Sequence, residues 1–308
     1  MIIRTKYRLI YVFILLIFFI GLLIFNRLIK RRSPFQLITI SDVNQLANST
    51  WPRQRIPRRI HQTWRSKEIP FHWNTSFYSV ITQNLNDFEH YLWTDDEVHT
   101  FVREKEPDFY EKTFLQYQYD IQRADAFRYV VLFHLGGIYI DMDIGCIRPF
   151  KDLVITMEAL DPNISHLAAF PLSTGYGLEI EFMISTAGHP LFQQLISHLS
   201  FFHHYYLLHY YTILISTGPV YVSIQEYFFP SASYQCSVRA IDKPVFDGTF
   251  IRKVAGFTWI KTDAHIIFYL IHRSRIILTM FIIFITIIIM VIIFNRHYLS
   301  NLKKTRRI

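Results

Sequence analysis

Two long, strongly apolar stretches of the chain carry no charged residue. Residues 9–25 form a 17-residue run without a charge, and residues 276–294 a 19-residue run of the same kind. Each comes close to the ~20 apolar residues a helix needs to cross a hydrocarbon layer of about 30 Å, so two transmembrane helices are predicted. "FNRLIKRRS" offers no small-residue cleavage site after the first run, which makes that run an uncleaved signal anchor. Residues 26–54 read as a polar stem. "IPRRIHQTW" (56–64) then predicts a first strand, and "HYLWTDDEV" (90–98) a strand entering a helix capped at Thr94 or Asp95. From Tyr119 to Leu135 the period becomes helical, with Ile121, Ala124, Val131, Leu132 and Leu135 on one stripe at about 100° per residue. Gly136 and Gly137 end that helix, and "IYI" begins the next strand. Helices alternating with strands predict an α/β domain with a largely parallel sheet.

The formal charge of +8 invites a nucleic-acid reading, and its distribution removes that reading. Residues 33–275 hold 20 of the basic residues and all 24 acidic ones, a net of −4. The excess sits beside the apolar runs: Arg4, Lys6 and Arg8, then Arg27, Lys30, Arg31 and Arg32, and finally Arg296, Lys303, Lys304, Arg306 and Arg307. The basicity belongs to membrane flanks, and no nucleic-acid partner is expected. Two spans put both termini on one side. The balance of flanking charge leans toward cytosolic termini, and N-x-[ST] sequons at Asn48, Asn74 and Asn163 lean toward a lumenal central domain. The two cysteines, Cys146 and Cys236, lie in that domain, where an oxidising lumen would permit one bridge and two isolated thiols are equally compatible.

Candidate chemistry is concentrated around one helix and the strand after it. Asp125 and Arg128, three residues apart, are neighbours on the helix. Arg128 falls within the apolar stripe and Asp125 at its edge, and charges directed into a domain are costly unless paired. A structural ion pair and a ligand site both satisfy that requirement. Two residues apart on an extended chain, Asp141 and Asp143 share a face, with Met142 turned to the core. Adjacent carboxylates repel unless a cation intervenes, and oxygen ligands without His or Cys suit Mg²⁺ or Mn²⁺. A D-x-D alone is a weak signal; one that follows D-x-x-R, Gly-Gly and a strand is far more specific.

The stretch "ADAFRYVVLFHLGGIYIDMDIGC" resembles the core signature of the DXD-containing family 32 glycosyltransferases. "IPRRIHQTW", "YLWTDDEV", "FMISTAGHPLFQQLI", "STGPVYVS" and "GFTWIKTDA" are similar to the family's other blocks in order and spacing. The resemblance covers about residues 55–264. A DXD domain followed by a C-terminal span is most similar to the fungal mannosyltransferases that add mannose to inositol phosphorylceramide.

The resemblance implies a GT-A-like nucleotide-sugar-binding domain at 55–264, flanked by transmembrane helices at 9–25 and 276–294, with a basic tail at 295–308. It implies a retaining transferase of the Golgi or endoplasmic reticulum membrane, its donor GDP-mannose, its cation Mn²⁺ or Mg²⁺, and its acceptor a lipid such as inositol phosphorylceramide. A regulatory membrane subunit is a possible partner. Asp141 and Asp143 would hold the metal, Asp143 more directly. Asp125 and Arg128 would bond the donor sugar, and with Asp143 form the catalytic set. His61, Trp64 and Trp93 would line the nucleotide end. The chain departs from the family pattern where an Asn-Asp pair is replaced by Ile180 and Glu181, and where Phe257 and Ile260 stand in the closing motif. That motif leaves Thr258, Trp259 and Asp263 to supply the remaining contact. Two alternatives stay open: a hexosyltransferase using another nucleotide sugar on a glycan, and a catalytically weak homologue acting as a partner subunit.

Overall fold

The computed structural model describes residues 35–47, 54–173, 177–228, 236–254, 256 and 260–273. The two expected spans, the sequon at Asn48 and the candidates Thr258 and Trp259 lie outside these residues. Among the described residues no helix is long and apolar enough to cross a membrane. They divide into a larger unit, up to Leu207 and from Tyr211 to Gly256, and a smaller one made of Leu208–Tyr210 and residues 260–273.

The strands are β1 (Gln36–Ile38), β2 (Arg59–Thr63), β3 (Glu89–Trp93), β4 (Gly137–Ile140), β5 (Ile144–Cys146), β6 (His166–Ser173), β7 (Gly177–Leu178), β8 (Phe182–Ser185), β9 (Cys236–Ile241) and β10 (Ile251–Lys253). The helices are α1 (Ile40–Leu46), α2 (Asn74–Asn84), α3 (Asp95–Lys105), α4 (Pro107–Lys112), α5 (Asp120–Leu135), α6 (Lys151–Leu160), α7 (Pro190–Phe202), α8 (His209–Ser216), α9 (Pro219–Phe228), α10 (Lys243–Phe246) and α11 (Thr262–His272). The main sheet runs β1-β9-β6-β8-β4-β2-β3, with β7 paired to β6. The pairs β1/β9, β9/β6, β4/β2 and β2/β3 are parallel, while β8 runs antiparallel to both of its neighbours, β6 and β4. The expected α/β class holds, with one reversed strand in the middle of the sheet.

Both faces of the sheet are covered, and the period of two along each strand sorts its residues between two cores. Ile138, Ile140, Phe182, Ile184, Leu167 and Ala169 enter one core, together with Val43 of α1 and Leu153 and Val154 of α6. Tyr139, Met183, Ala168 and Phe170 enter the other, with Phe127 and Val131 of α5 and Leu195 of α7. Three expectations are corrected here. Residues 36–46 are not stem: β1 adds to the sheet edge through β9, and Ile38 and Val43 are buried, so the domain begins well before residue 55. At the other end, residues 260–264 belong to the smaller unit rather than closing the domain. Helix α5 is not amphipathic, because every residue from Asp125 to Leu132 is buried; it packs against the sheet on one side and against α3 and α7 on others.

The junction after α5 needs its glycines. Gly136 and Gly137 have φ of 62° and 101°, and a Cβ on Gly137 would lie 2.5 Å from the Arg59 carbonyl oxygen of β2. A side chain there would be strained in the backbone and would also push β4 off β2.

Candidate active site at the strand ends

Strands β2, β3 and β4 run parallel, so their C-terminal ends share one edge of the sheet. Because β8 is reversed, it brings its N-terminal end to that edge. Ile140 at the end of β4 pairs with Phe182 at the start of β8, and the Asp141 N–H donates to the Glu181 carbonyl at 2.9 Å. A residue about 40 positions away from the D-x-D thereby stands beside it.

The D-x-D itself is not strand. Strand β4 ends at Ile140, and Asp141, Met142 and Asp143 form a turn into β5, closed by the Ile144 N–H donating to the Asp141 carbonyl at 3.2 Å. The turn's orientation still follows the expected split: Met142 is buried with Trp73 and Phe77, while both aspartates are part-exposed. Ser76 of α2 donates its hydroxyl to the Met142 carbonyl at 2.8 Å, and Val254, just after β10, donates its N–H to the Asp143 carbonyl at 2.8 Å. The turn is therefore pinned from both sides. Gly256 passes so close to the Asp143 carboxylate that a Cβ would fall 1.7 Å from Oδ2.

Arg128 is the hub. One guanidinium nitrogen lies 3.3 Å from Asp125 Oδ1 and donates to the Ile180 carbonyl at 3.1 Å; the other lies 3.0 Å from Asp141 Oδ1. Its carbon sits 5.0 Å from the centre of the Tyr139 ring. Its side chain is 6% exposed, so the structural ion pair and the candidate site are one network. Asp125 accepts a second bond, from the Thr217 hydroxyl at 3.0 Å. Burial lifts the Asp125 pKa to about 6 against the opposing pull of Arg128 and Thr217, and lifts Asp141 to about 8, with Arg128 opposing and Asp143 and Glu181 adding. Burial also raises Asp143 and Glu181. Burial would lower Arg128, but Asp141, Tyr139 and Asp125 outweigh it and carry it well above its ordinary value.

Glu181 and Lys253 complete the cluster, and sequence reasoning missed both. Lys253 pairs with Glu181. Glu181 was visible only as a departure from a pattern, and nothing local to "FIRKV" marks Lys253. Ile180, the other departure, contributes its backbone carbonyl to Arg128 and buries its side chain, so the side-chain change costs the network nothing.

The aromatic candidates separate. His61 is fully buried, donating from Nε2 to the Gly136 carbonyl at 3.0 Å and accepting the Trp93 indole N–H on Nδ1 at 3.2 Å. Both nitrogens are spent inside the fold, so His61 braces β2 rather than lining a ligand site. Trp93 is part-buried against Phe101 and Phe127. Trp64, also part-buried, lies edge-on to Trp73 at 4.8 Å, in the same small apolar cluster as Met142. Asp263 belongs to the smaller unit, where it accepts the Tyr210 backbone N–H at 2.8 Å. No disulfide joins Cys146 and Cys236, which decides the open question of the bridge.

Among the described residues no three His, Cys, Asp or Glu side chains form a ready metal cage. The donors present at this edge are carboxylate oxygens, the chemistry that suits Mg²⁺ or Mn²⁺, which are held by one or two carboxylates plus substrate phosphates and waters. Four carboxylates, Asp125, Asp141, Asp143 and Glu181, face two cations. Arg128 is committed to Asp125 and Asp141, and no described side chain forms an ion pair with Asp143.

The family described as "Glycosyltransferase sugar-binding region containing DXD motif" matches residues 70–161. Inositol phosphoceramide mannosyltransferase 1 of Schizosaccharomyces pombe is 31% identical over 252 residues, spanning 80% of this chain and 75% of that protein. Two Saccharomyces cerevisiae proteins are also similar. Mannosyl phosphorylinositol ceramide synthase SUR1 is 36% identical over 56% of this chain and 42% of its own length, and CSH1 is 34% identical over 71% and 57%. The chain thus spans about half the length of the two Saccharomyces relatives.

Proposed function

This chain belongs to the DXD-containing glycosyltransferase family that includes the fungal inositol phosphoceramide mannosyltransferases, and from that membership we propose that it transfers mannose from GDP-mannose to inositol phosphorylceramide, with retention of configuration, on a GT-A-like domain that needs a divalent cation. The observation that carries the reading is the chain of charges Asp125–Arg128–Asp141, which leaves Asp143 without an ion pair among the described residues at the strand ends. Arg128 fixes Asp141 through a charged hydrogen bond in a buried setting, where such bonds are strong. Asp143, in a turn pinned by Ser76 on the Met142 carbonyl and by Val254 on its own carbonyl, is left to bind the cation. That cation would stabilise the new negative charge on the leaving diphosphate. Asp125 is oriented by Arg128 and Thr217, so it is pre-set to take a donor hydroxyl rather than reorganising on binding. Trp64 and Trp93, at the ends of neighbouring strands, would flank the nucleotide.

Two membrane spans, residues 9–25 and 276–294, would hold the domain against the lumenal face of the Golgi or endoplasmic reticulum membrane, alone or with a regulatory membrane subunit. Such a tether suits a lipid acceptor.

The test is release of nucleoside diphosphate by the full-length protein in detergent, from a panel of nucleotide sugars with Mn²⁺, with and without inositol phosphorylceramide. GDP-mannose should be turned over faster than UDP-sugars, acceptor should accelerate it, and chelator or Asp143→Asn should abolish it while leaving the melting temperature nearly unchanged. Equal turnover with and without chelator would sink the metal-dependent reading. Preference for a UDP-sugar would sink the donor assignment.

A further inference from the structure

The Lys253–Glu181 pair is poorly explained as a structural brace. The lysine side chain is 44% exposed and the glutamate 23%, and ion pairs at such exposure contribute only about 0–1 kcal/mol to stability. Its position is more telling. Strand β10 pairs antiparallel with β5, setting Lys253 opposite Ile144, the residue that follows the D-x-D. The next residue, Val254, bonds the Asp143 carbonyl. The ammonium lies 6.0 Å from the centre of the Phe246 ring, which with Glu181 restricts where it can go. An ammonium has three donors, and among the described residues Lys253 is paired only with Glu181. Arg128, the other cation of the cluster, has both terminal nitrogens occupied and is 6% exposed.

We propose that Lys253 binds a phosphate oxygen of the substrate, carrying positive charge to the side of the D-x-D turn that Arg128 does not reach. The inference rests on the donor reading above and adds a residue to it. An oxygen anion beside a part-exposed, pre-positioned ammonium gains a charged hydrogen bond. Glu181 holds the ammonium in place when no phosphate is there. The anion has two sources, the diphosphate of a nucleotide sugar and the phosphodiester of the lipid acceptor, and the test separates them.

Full-length wild type, Lys253→Ala, Lys253→Arg and Glu181→Gln are compared in detergent with Mn²⁺. GDP and guanosine affinities, the acceptor KM and the melting temperature are measured. If the donor diphosphate is the ligand, Lys253→Ala weakens GDP by roughly tenfold to a hundredfold, the size of one charged hydrogen bond. Guanosine binding is unchanged, and Lys253→Arg keeps most of the GDP affinity. If the acceptor phosphodiester is the ligand, GDP affinity stays constant and the acceptor KM rises by a similar factor. Both results support the assignment. Unchanged GDP affinity and unchanged KM in Lys253→Ala, with melting temperature lowered equally by Lys253→Ala and Glu181→Gln, would reduce the pair to a brace and overturn it. Wild type that binds no nucleotide at all would overturn the donor reading and this inference with it.

Discussion

Replacing Arg128 tests the central network most directly. Its guanidinium serves acceptors in three directions, at 3.3 Å (Asp125), 3.0 Å (Asp141) and 3.1 Å (the Ile180 carbonyl), in a place where water cannot substitute. Lysine keeps the charge but concentrates it at one atom, without the planar fork. Arg128→Lys therefore loses one or two charged hydrogen bonds, each about 1.5–3 kcal/mol. Arg128→Met removes the cation outright and leaves the buried Asp125 and the part-exposed Asp141 without it, for which about 3–5 kcal/mol is typical. At about 2–4 °C per kcal/mol for a domain of this size, the methionine variant should melt on the order of 10 °C lower, and the lysine variant between it and wild type. Thermal unfolding of full-length protein, followed by intrinsic fluorescence with and without Mn²⁺, reads this out. Because the methionine variant lacks a cation, Mn²⁺ should restore more of its melting temperature than it adds to wild type. If both variants melt within ~2 °C of wild type, the network does not support the fold as reasoned from these distances.

Gly256→Ala should weaken Mn²⁺-dependent nucleotide binding with little change in melting temperature, because its Cβ would displace the Asp143 carboxylate from 1.7 Å away; unaltered metal affinity would show that Asp143 is not held there. Burial lowers the pKa values of His61, His90 and His189 to about 4 each. The fold keeps them neutral while the unfolded chain takes protons below its ordinary value near 6.5, so their stability is complete above that pH and lost as pH falls toward 4. The cost at pH 5 is about 2 kcal/mol per residue, and an equal melting temperature at pH 7 and pH 5 would refute it. Asn163 is exposed in the turn between α6 and β6, whereas Asn74 opens α2 with its sequon serine, Ser76, bonded beneath the D-x-D turn. In a glycosylating host, glycosidase should therefore raise the gel mobility of wild type, and Asn163→Gln should remove more of that shift than Asn74→Gln. A central domain that is unglycosylated and open to protease in sealed microsomes would reverse the topology.

What the sequence determined by itself was local. The Thr94 cap, with Glu97 returning its bond, lies at the expected helix start. The helix Asp120–Leu135 ends at the two glycines, and Gly137–Ile140 is strand. Capping, periodicity and positive φ are set by residues within a few positions of one another, so a linear reading captures them. The same reading marked Asp125, Arg128, Asp141 and Asp143 as one constellation, because all four fall within a short span of chain. Tertiary structure decided what that span could not encode. Whether Arg128 pairs with Asp125 or Asp141 depends on α5 lying against the end of β4, and the network joins both. Glu181, Thr217 and Lys253 reach the site from distant parts of the chain, through the reversal of β8, the packing of the turn after α8, and the β10/β5 pair. The apolar strand "FMIS" is buried on both faces, and such a run carries the same pattern whether it is parallel or antiparallel. The direction that places Glu181 beside the aspartates was therefore invisible until the sheet was assembled. The setting of His61 was hidden for the same reason: a histidine within a strand looks the same in sequence whether its ring faces a ligand or, as here, the carbonyl of Gly136.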